Sequence, residues 1–220
     1  VGAFPTGSKD PYGLRRAALG IIRIIIEGKL TIHLSKVIKS SSNLYLNCNK
    51  NVVSKVENFI QDRLKVYLKD QNISHDVVSC ILGASSQFDL FDCFNRAKTL
   101  NKFLSCKMGT DLKVLWLRIS SILNAEEKKS GENIIFRDGS NNNYSDYEKE
   151  LIDKLNSLKI DKNYQMMLEQ RLSLRKYIDK YFELFTINDP NSKIRKSRFE
   201  IIALTREKML DIGNLNNLEG

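Results

Sequence analysis

The residues of this 220-residue chain best able to do chemistry are cations, and they gather in two places. Near the end, Lys193, Arg195, Lys196 and Arg198 open a helical pattern after Asn188-Asp189-Pro190, with Arg206 further along it. At about 100° per residue, Arg195 and Arg206 lie roughly three turns apart on one stripe, beside Phe199. Two guanidinium groups next to an aromatic ring suit single-stranded RNA, which is held by phosphate contacts and base stacking. A basic cluster at a helix start also opposes the positive end of the helix dipole unless an anion lies near. The plainer alternative is a solvated charged face, and for Arg195 both readings stay open. Arg198 projects instead toward the face formed by Ile194, Ile201, Thr205, Met209 and Ile212, where a pair with an Asp or Glu is the favoured reading. The second cluster, Lys9, Arg15 and Arg16, surrounds Asp10-Pro11 near the start.

Other chemistries find little support. Cys48, Cys80, Cys93 and Cys106 form no C-x-x-C pair, and His33 and His75 are the only histidines, so no metal site is expected. Four unpatterned thiols read as small core or surface residues of a reducing compartment. His75-Asp76 could suggest a metal, but Ser74 and Asp76 already make sense as a helix N-terminal cap.

The net charge of +9 favours a polyanionic partner. Residues 1–110 hold 16 Lys and Arg against 8 Asp and Glu, and residues 111–220 hold 19 against 18, so the excess lies in the first half. The most apolar stretch, Ala17 to Ile26, is interrupted by Arg23 and is too short to span a membrane. The start at Val1 has no signal-peptide pattern, and without an initiator Met the chain is expected to be a piece of a longer protein.

The elements that must position these cations are helices. Only three prolines, at 5, 11 and 190, interrupt the chain. Asp10-Pro11 predicts a helix start running to about Glu27, with Gly28 as a left-handed stop. Apolar spacing predicts helices over 52–70, 74–82, 89–104, 111–123, 145–158, 162–185 and 191–212. Met108-Gly109-Thr110 reads as a break and 125–143 as a polar loop in which Ile134-Ile135-Phe136 could dock as an extended piece. Ser145-Asp146-Tyr147-Glu148 is a capping box, and the tail from Gly213 is expected to fray. The fold class is therefore all-α, as helical bundles.

Several segments carry a resemblance. Pro5, Gly7, Lys9, Asp10, Pro11 and the run Leu14-Arg15-Arg16-Ala17-Ala18-Leu19-Gly20 match the P-x-G-x-K-D-P loop and L-R-R-A-A-L-G helix of the bacterial heterotetrameric glycyl-tRNA synthetase beta subunit. Arg118-Ile119-Ser120-Ser121-Ile122-Leu123 is similar to that family's R-V-S-N-I-L, with Ser121 replacing Asn. Tyr181-Phe182 and Ile194-Arg195-Lys196-Ser197-Arg198-Phe199 resemble its paired aromatics and its R-x-N-R-L helix start, with Ser197 for Asn and Phe199 for Leu. The last region also resembles the DALR anticodon-binding class, although Ser192 stands where that class often has Asp.

The resemblance implies a C-terminal part of the beta subunit. Residues 1–108 would be the end of an HD-like or linker region, and residues 109–220 a DALR-like anticodon-binding bundle. It implies glycine tRNA as partner, contacted by Lys193, Arg195, Lys196, Arg198, Phe199 and Arg206, and by Lys9, Arg15 and Arg16, which could instead meet the alpha subunit. It places glycine activation, with ATP and Mg²⁺, on the alpha subunit of an α₂β₂ assembly in the cytoplasm. No catalytic residue, cofactor or metal is then expected in this chain, including at His75-Asp76, although the family contains a domain resembling metal-dependent HD phosphohydrolases. The alternative function is a helical module that docks on a subunit without touching tRNA. For Asp10 to Gly20 a purely structural role stands beside these, with Asp10 as cap and Ala17, Ala18 and Gly20 allowing close helix packing.

Overall fold

The structure is a computed structural model that describes residues 10, 12–45, 51–83, 89–137, 144–161 and 163–218. The Lys9, Pro5, Gly7, Pro11 and Cys48 expectations fall outside the described residues. Within them every regular element is helical, as expected, although the apolar spacing predicts neither α2 nor the last turn: α1 (Leu14–Glu27), α2 (Leu34–Ser42), α3 (Val52–Asp70), α4 (His75–Leu82), α5 (Leu90–Leu104), α6 (Lys107–Ser130), α7 (Asp146–Asn156), α8 (Tyr164–Leu184), α9 (Ser192–Leu210) and a 3-10 turn, Leu215–Asn217. The chain divides into two compact units, 1–101 and 102–220, the division falling within α5.

In the first unit α3 is the centre against which α1, α2 and α4 pack. Ala18, Ile22, Ile25 and Ile26 form the buried stripe of α1, and Ile60, Leu64 and Leu68 that of α3. The start of α1 is built differently from its expected cap. Asp10 sits four residues ahead of the helix, and its two carboxylate oxygens accept from the backbone N–H groups of Leu14 (2.8 Å) and Arg15 (3.0 Å). The residue at the cap position is Gly13, at φ 64°, and the Arg16 side chain lies over it. Gly28 is not left-handed (φ −77°), and Lys29, at φ 51°, makes the reversal instead. Of the small residues expected to allow close packing, only Ala18 is buried. Ala17 is exposed, and a Cβ on Gly20 would meet nothing within 4 Å.

In the second unit α9 packs on α6 and α7, and α6 and α7 both pack on α8. Leu112, Leu115, Trp116, Ile119 and Leu123 form the buried side of α6, opposed by Leu174, Ile178 and Tyr181 of α8 and Ile201, Ile202, Thr205 and Met209 of α9. Helix α6 is longer than expected at both ends. Gly109 is inside it, where a Cβ would stand 2.4 Å from the Leu104 Cα and 2.6 Å from the Phe103 oxygen. That glycine allows two backbones to touch rather than breaking the helix. The other end runs on to Ser130 and stops at Gly131, in the left-handed region at φ 74°.

The capping box at Ser145 forms as predicted, with the Glu148 N–H donating to Ser145 Oγ (3.3 Å) and the Ser145 N–H donating to Glu148 Oε2 (2.9 Å). The tail after Gly213 does not fray where it is described, because Ile212 and Leu215 are buried in the unit. Arg171 is fully buried on α8. Its guanidinium donates to the carbonyls of Lys208 (3.2 Å) and Lys159 (3.1 Å) and to the Asp211 carboxylate (2.8 Å), which ties down the carbonyl end of α9.

Candidate nucleic-acid interface

The first turns of α9 carry Lys193, Arg195, Lys196 and Arg198 and have no acidic residue of their own. Asn191 builds this start. Its side-chain oxygen accepts from the N–H groups of Lys193 (3.0 Å) and Ile194 (3.4 Å), so the helix opens immediately after Pro190. The cations then differ sharply in what they meet.

Lys193 and Lys196 are exposed, and neither makes an ion pair among the described residues. Arg195 is half-exposed, with its Nε 3.6 Å from Glu126 on α6. Arg198 turns inward, as the reading of a partnered side chain has it. It donates to the Thr186 carbonyl (2.7 Å) and the Asp189 carboxylate (2.8 Å), lies 3.7 Å from Glu148 and covers the Phe185 ring at 5.1 Å. Arg198 thus joins α7, the α8–α9 connection and α9.

Two expectations are corrected here. Arg206 does not share an open stripe with Arg195. Its two terminal nitrogens donate to both oxygens of Glu127, at 2.9 and 2.6 Å, in a fork in which both side chains are largely buried. The same Glu127 accepts from the Ile134 N–H (2.9 Å), so the pair pins residues 131–137 against the end of α6. The hydrogen bonds from Arg206 hold the Glu127 carboxyl below the usual carboxylate range, against the opposing effect of burial. Phe199 does not stand free beside the arginines for base stacking, because its ring is turned into the unit with the residue only 6% exposed. The helical wheel places these residues on a flank, but α6 and the 131–137 segment cover that flank.

What remains open between α9 and residues 126–137 is a concavity of about 290 Å³. Its lining includes Ile135, Arg137, Arg195, Lys196, Phe199 and Glu200. Glu200 is 95% buried, its exposure being 5%, and burial pushes its carboxyl up from the ordinary value while Lys196 and Arg137 pull it down. Sequence reasoning missed Glu200. The signal for it was its place next to Phe199, on a helix whose inner face is otherwise uncharged.

Within the second unit, the segments of the family resemblance at Arg118, at Tyr181-Phe182 and at Arg198 meet along α8 and its C-terminal end. The Arg118 guanidinium of α6 lies 4.2 Å from the Phe182 ring centroid and donates to Asp179 at 2.7 Å, while Tyr181 is buried against Phe185 and 3.4 Å from Glu148. In the first unit Arg15 is half-buried and Arg16 exposed, both on the first turn of α1. Among the described residues no group of three or more His, Cys, Asp or Glu could hold a metal ion, and no helix is long and apolar enough to cross a membrane.

Comparison with known proteins gives these features a context. Residues 1–83 match the family model described as glycyl-tRNA synthetase beta subunit. The chain is 34% identical over 221 residues to the glycine–tRNA ligase beta subunit of Rickettsia canadensis (strain McKiel), covering 99% of this chain and 32% of the relative. It is 30% identical over 222 residues to that of Clostridioides difficile (strain 630), with 99% and 32% covered. The chain thus spans about a third of the length of the curated relatives it matches. The resemblance first drawn on Pro5 to Gly20 is borne out and extends along the whole chain.

Proposed function

We propose, for a chain related along almost its whole length to glycyl-tRNA synthetase beta subunits, that it is an RNA-handling segment of a glycine–tRNA ligase. In this reading the second unit holds the anticodon region of glycine tRNA in the manner of a DALR-like bundle. The attachment of glycine, with its ATP and Mg²⁺, belongs to an alpha subunit of an α₂β₂ assembly in the cytoplasm. This chain supplies binding and no catalytic group.

The observation that carries the reading is the start of α9. Lys193 and Lys196 stand exposed, with Arg195 beside them, at the positive end of a helix that has no acid in its first turn. Exposed cations at the positive end of a helix are a surface that a polyanion stabilises. Arg198, Arg206 and Phe199 support this surface from beneath and do not themselves form it.

The test is binding of glycine tRNA by the chain as a function of salt, compared with Lys193→Ala and Lys196→Ala. Each lysine in contact with a phosphate contributes to the slope of log affinity against log salt, and its removal lowers that slope by about 0.7 for single-stranded RNA. Affinity without salt dependence, or an unchanged slope in both variants, overturns the reading.

A second reading has its own support in the first unit. Ile21 and Ile24 on α1 are 41% and 65% exposed, and Val37 on α2 is 50% exposed, and the same two helices carry the exposed Arg16, Arg23 and Lys36. This is the composition of a protein-docking surface, and it favours the alpha subunit as partner of residues 14–42. Ile24→Asp tests it. Lost assembly with the alpha subunit and retained tRNA affinity assign this face to subunit docking, and the reverse assigns it to RNA.

A further inference from the structure

We propose that the concavity between residues 126–137 and the first two turns of α9 holds one unpaired guanine, whose Watson–Crick edge is read by the Glu200 carboxylate. The inference rests on the RNA-binding reading of the same face and specifies which chemical group of the RNA enters it.

The size is the first argument. At about 290 Å³ the space lies at the small end of ligand sites, which suits a single base. Charge is the second. The acids Glu126, Glu132 and Glu200 line the space together with Arg137, Arg195 and Lys196, so the signs balance. A balanced lining does not select a phosphate, whose charge the three carboxylates oppose, and it does suit a neutral, hydrogen-bonding ring. The cations lie where the backbone of a strand entering this space would run, since Lys196 is exposed and Arg195 half-exposed at the helix start.

Glu200 is the third argument. Its side chain lines the concavity, it is 5% exposed, and among the described residues its carboxyl takes part in no hydrogen bond or ion pair. Neither of its oxygens is sealed from solvent, and with no hydrogen bond inside the unit both are open to accept from a ligand donor. Guanine alone among the four bases presents two adjacent donors, N1–H and the 2-amino group, which match the two oxygens of a carboxylate. Adenine and cytosine each set an acceptor beside their amino group, and uracil flanks its single N–H with carbonyls. Ile135, which is 56% exposed at the rim, supplies apolar surface for a face of the base, over a floor that includes the edge of the buried Phe199.

The experiment is a nuclear magnetic resonance titration of the chain with guanosine, inosine, adenosine and cytidine 5′-monophosphates, run beside glycine-tRNA binding. Inosine lacks only the 2-amino group. The expected result is a saturable shift of the Glu200, Phe199 and Ile135 amides by the guanosine nucleotide. The inosine nucleotide should bind about tenfold more weakly, the factor set by one hydrogen bond to a charged group. Glu200→Gln should erase that preference.

Equal binding of the four nucleotides, shifts confined to other residues, or no shift overturns the guanine site even if the variant fails to fold, because this comparison uses the unaltered chain. Glycine tRNA bound with its salt dependence intact then leaves the RNA reading standing. A guanosine preference in a chain that binds no tRNA supports the pocket and overturns RNA as the source of the base.

Discussion

Replacing Arg206 with Gln separates a structural arginine from an RNA-binding one. Arg206 and Glu127 meet through two hydrogen bonds, at 2.9 and 2.6 Å, with side chains 21% and 15% exposed. Removing one partner of a fully buried pair costs about 3–5 kcal/mol, and the residual solvent access here brings the expected loss to about 2–3 kcal/mol. In a unit of this size each kcal/mol corresponds to about 4 °C, so the melting temperature should fall by about 8–12 °C.

The pH dependence adds a second check. The folded Glu127 carboxyl is held below its unfolded value, so its contribution is complete above the ordinary carboxylate range. It is lost as pH falls through the depressed folded value. The stability gap between the unaltered chain and Glu127→Gln should therefore be widest near neutrality and close on acidification below about pH 4. Thermal melts followed by circular dichroism, with the Glu127→Gln/Arg206→Gln double variant completing the cycle, measure the coupling directly. A melting temperature within about 1 °C of the parent, with tRNA affinity sharply reduced, would refute this assignment and return Arg206 to the RNA surface.

Three further outcomes are expected. Ser145→Ala removes the capping side chain of α7 and should cost about 1 kcal/mol in a denaturant melt, with no change in the slope. Gly109→Ala places a Cβ against the Leu104 and Phe103 backbone and should cost about 1–3 kcal/mol, whereas a gain in stability would contradict the close approach. Burial pushes the Cys80 thiol up to about 12, so alkylation mapped by mass spectrometry near neutral pH should mark exposed Cys106 well before Cys80, which should react only in denaturant.

What the sequence makes legible is what depends on near neighbours. The Ser145 box, the Asn191 start and the apolar stripes of α3 and α8 are written within a few residues of where they act. Helix α2 escaped because Leu34 is its only buried residue, so its pattern of Leu34, Val37 and Ile38 among serines is weak. Gly109 misled because a glycine that ends a helix and one that admits a neighbouring backbone look alike in one dimension. The site followed the same rule. Arginine positions on the wheel of α9 were readable, but Glu127 stands 79 residues before Arg206, and Glu148 and Asp211 reach Arg198 and Arg171 across the bundle. Long-range acids decide which cations are consumed, and helical spacing carries no trace of them.

The buried Arg171 has a consequence for how α9 comes apart. With the Lys208 carbonyl and Asp211 fastened to a fully enclosed guanidinium, the last turn can open only when the core of the unit opens. The residues ahead of Arg198 are held chiefly by the Asn191 cap and carry exposed lysines, so they open more cheaply. Local unfolding of α9 therefore runs in one direction, from Ser192 inward. Any anion that settles on those first turns draws on the same equilibrium: it slows amide exchange at 192–197 and leaves the anchored end as slow as before.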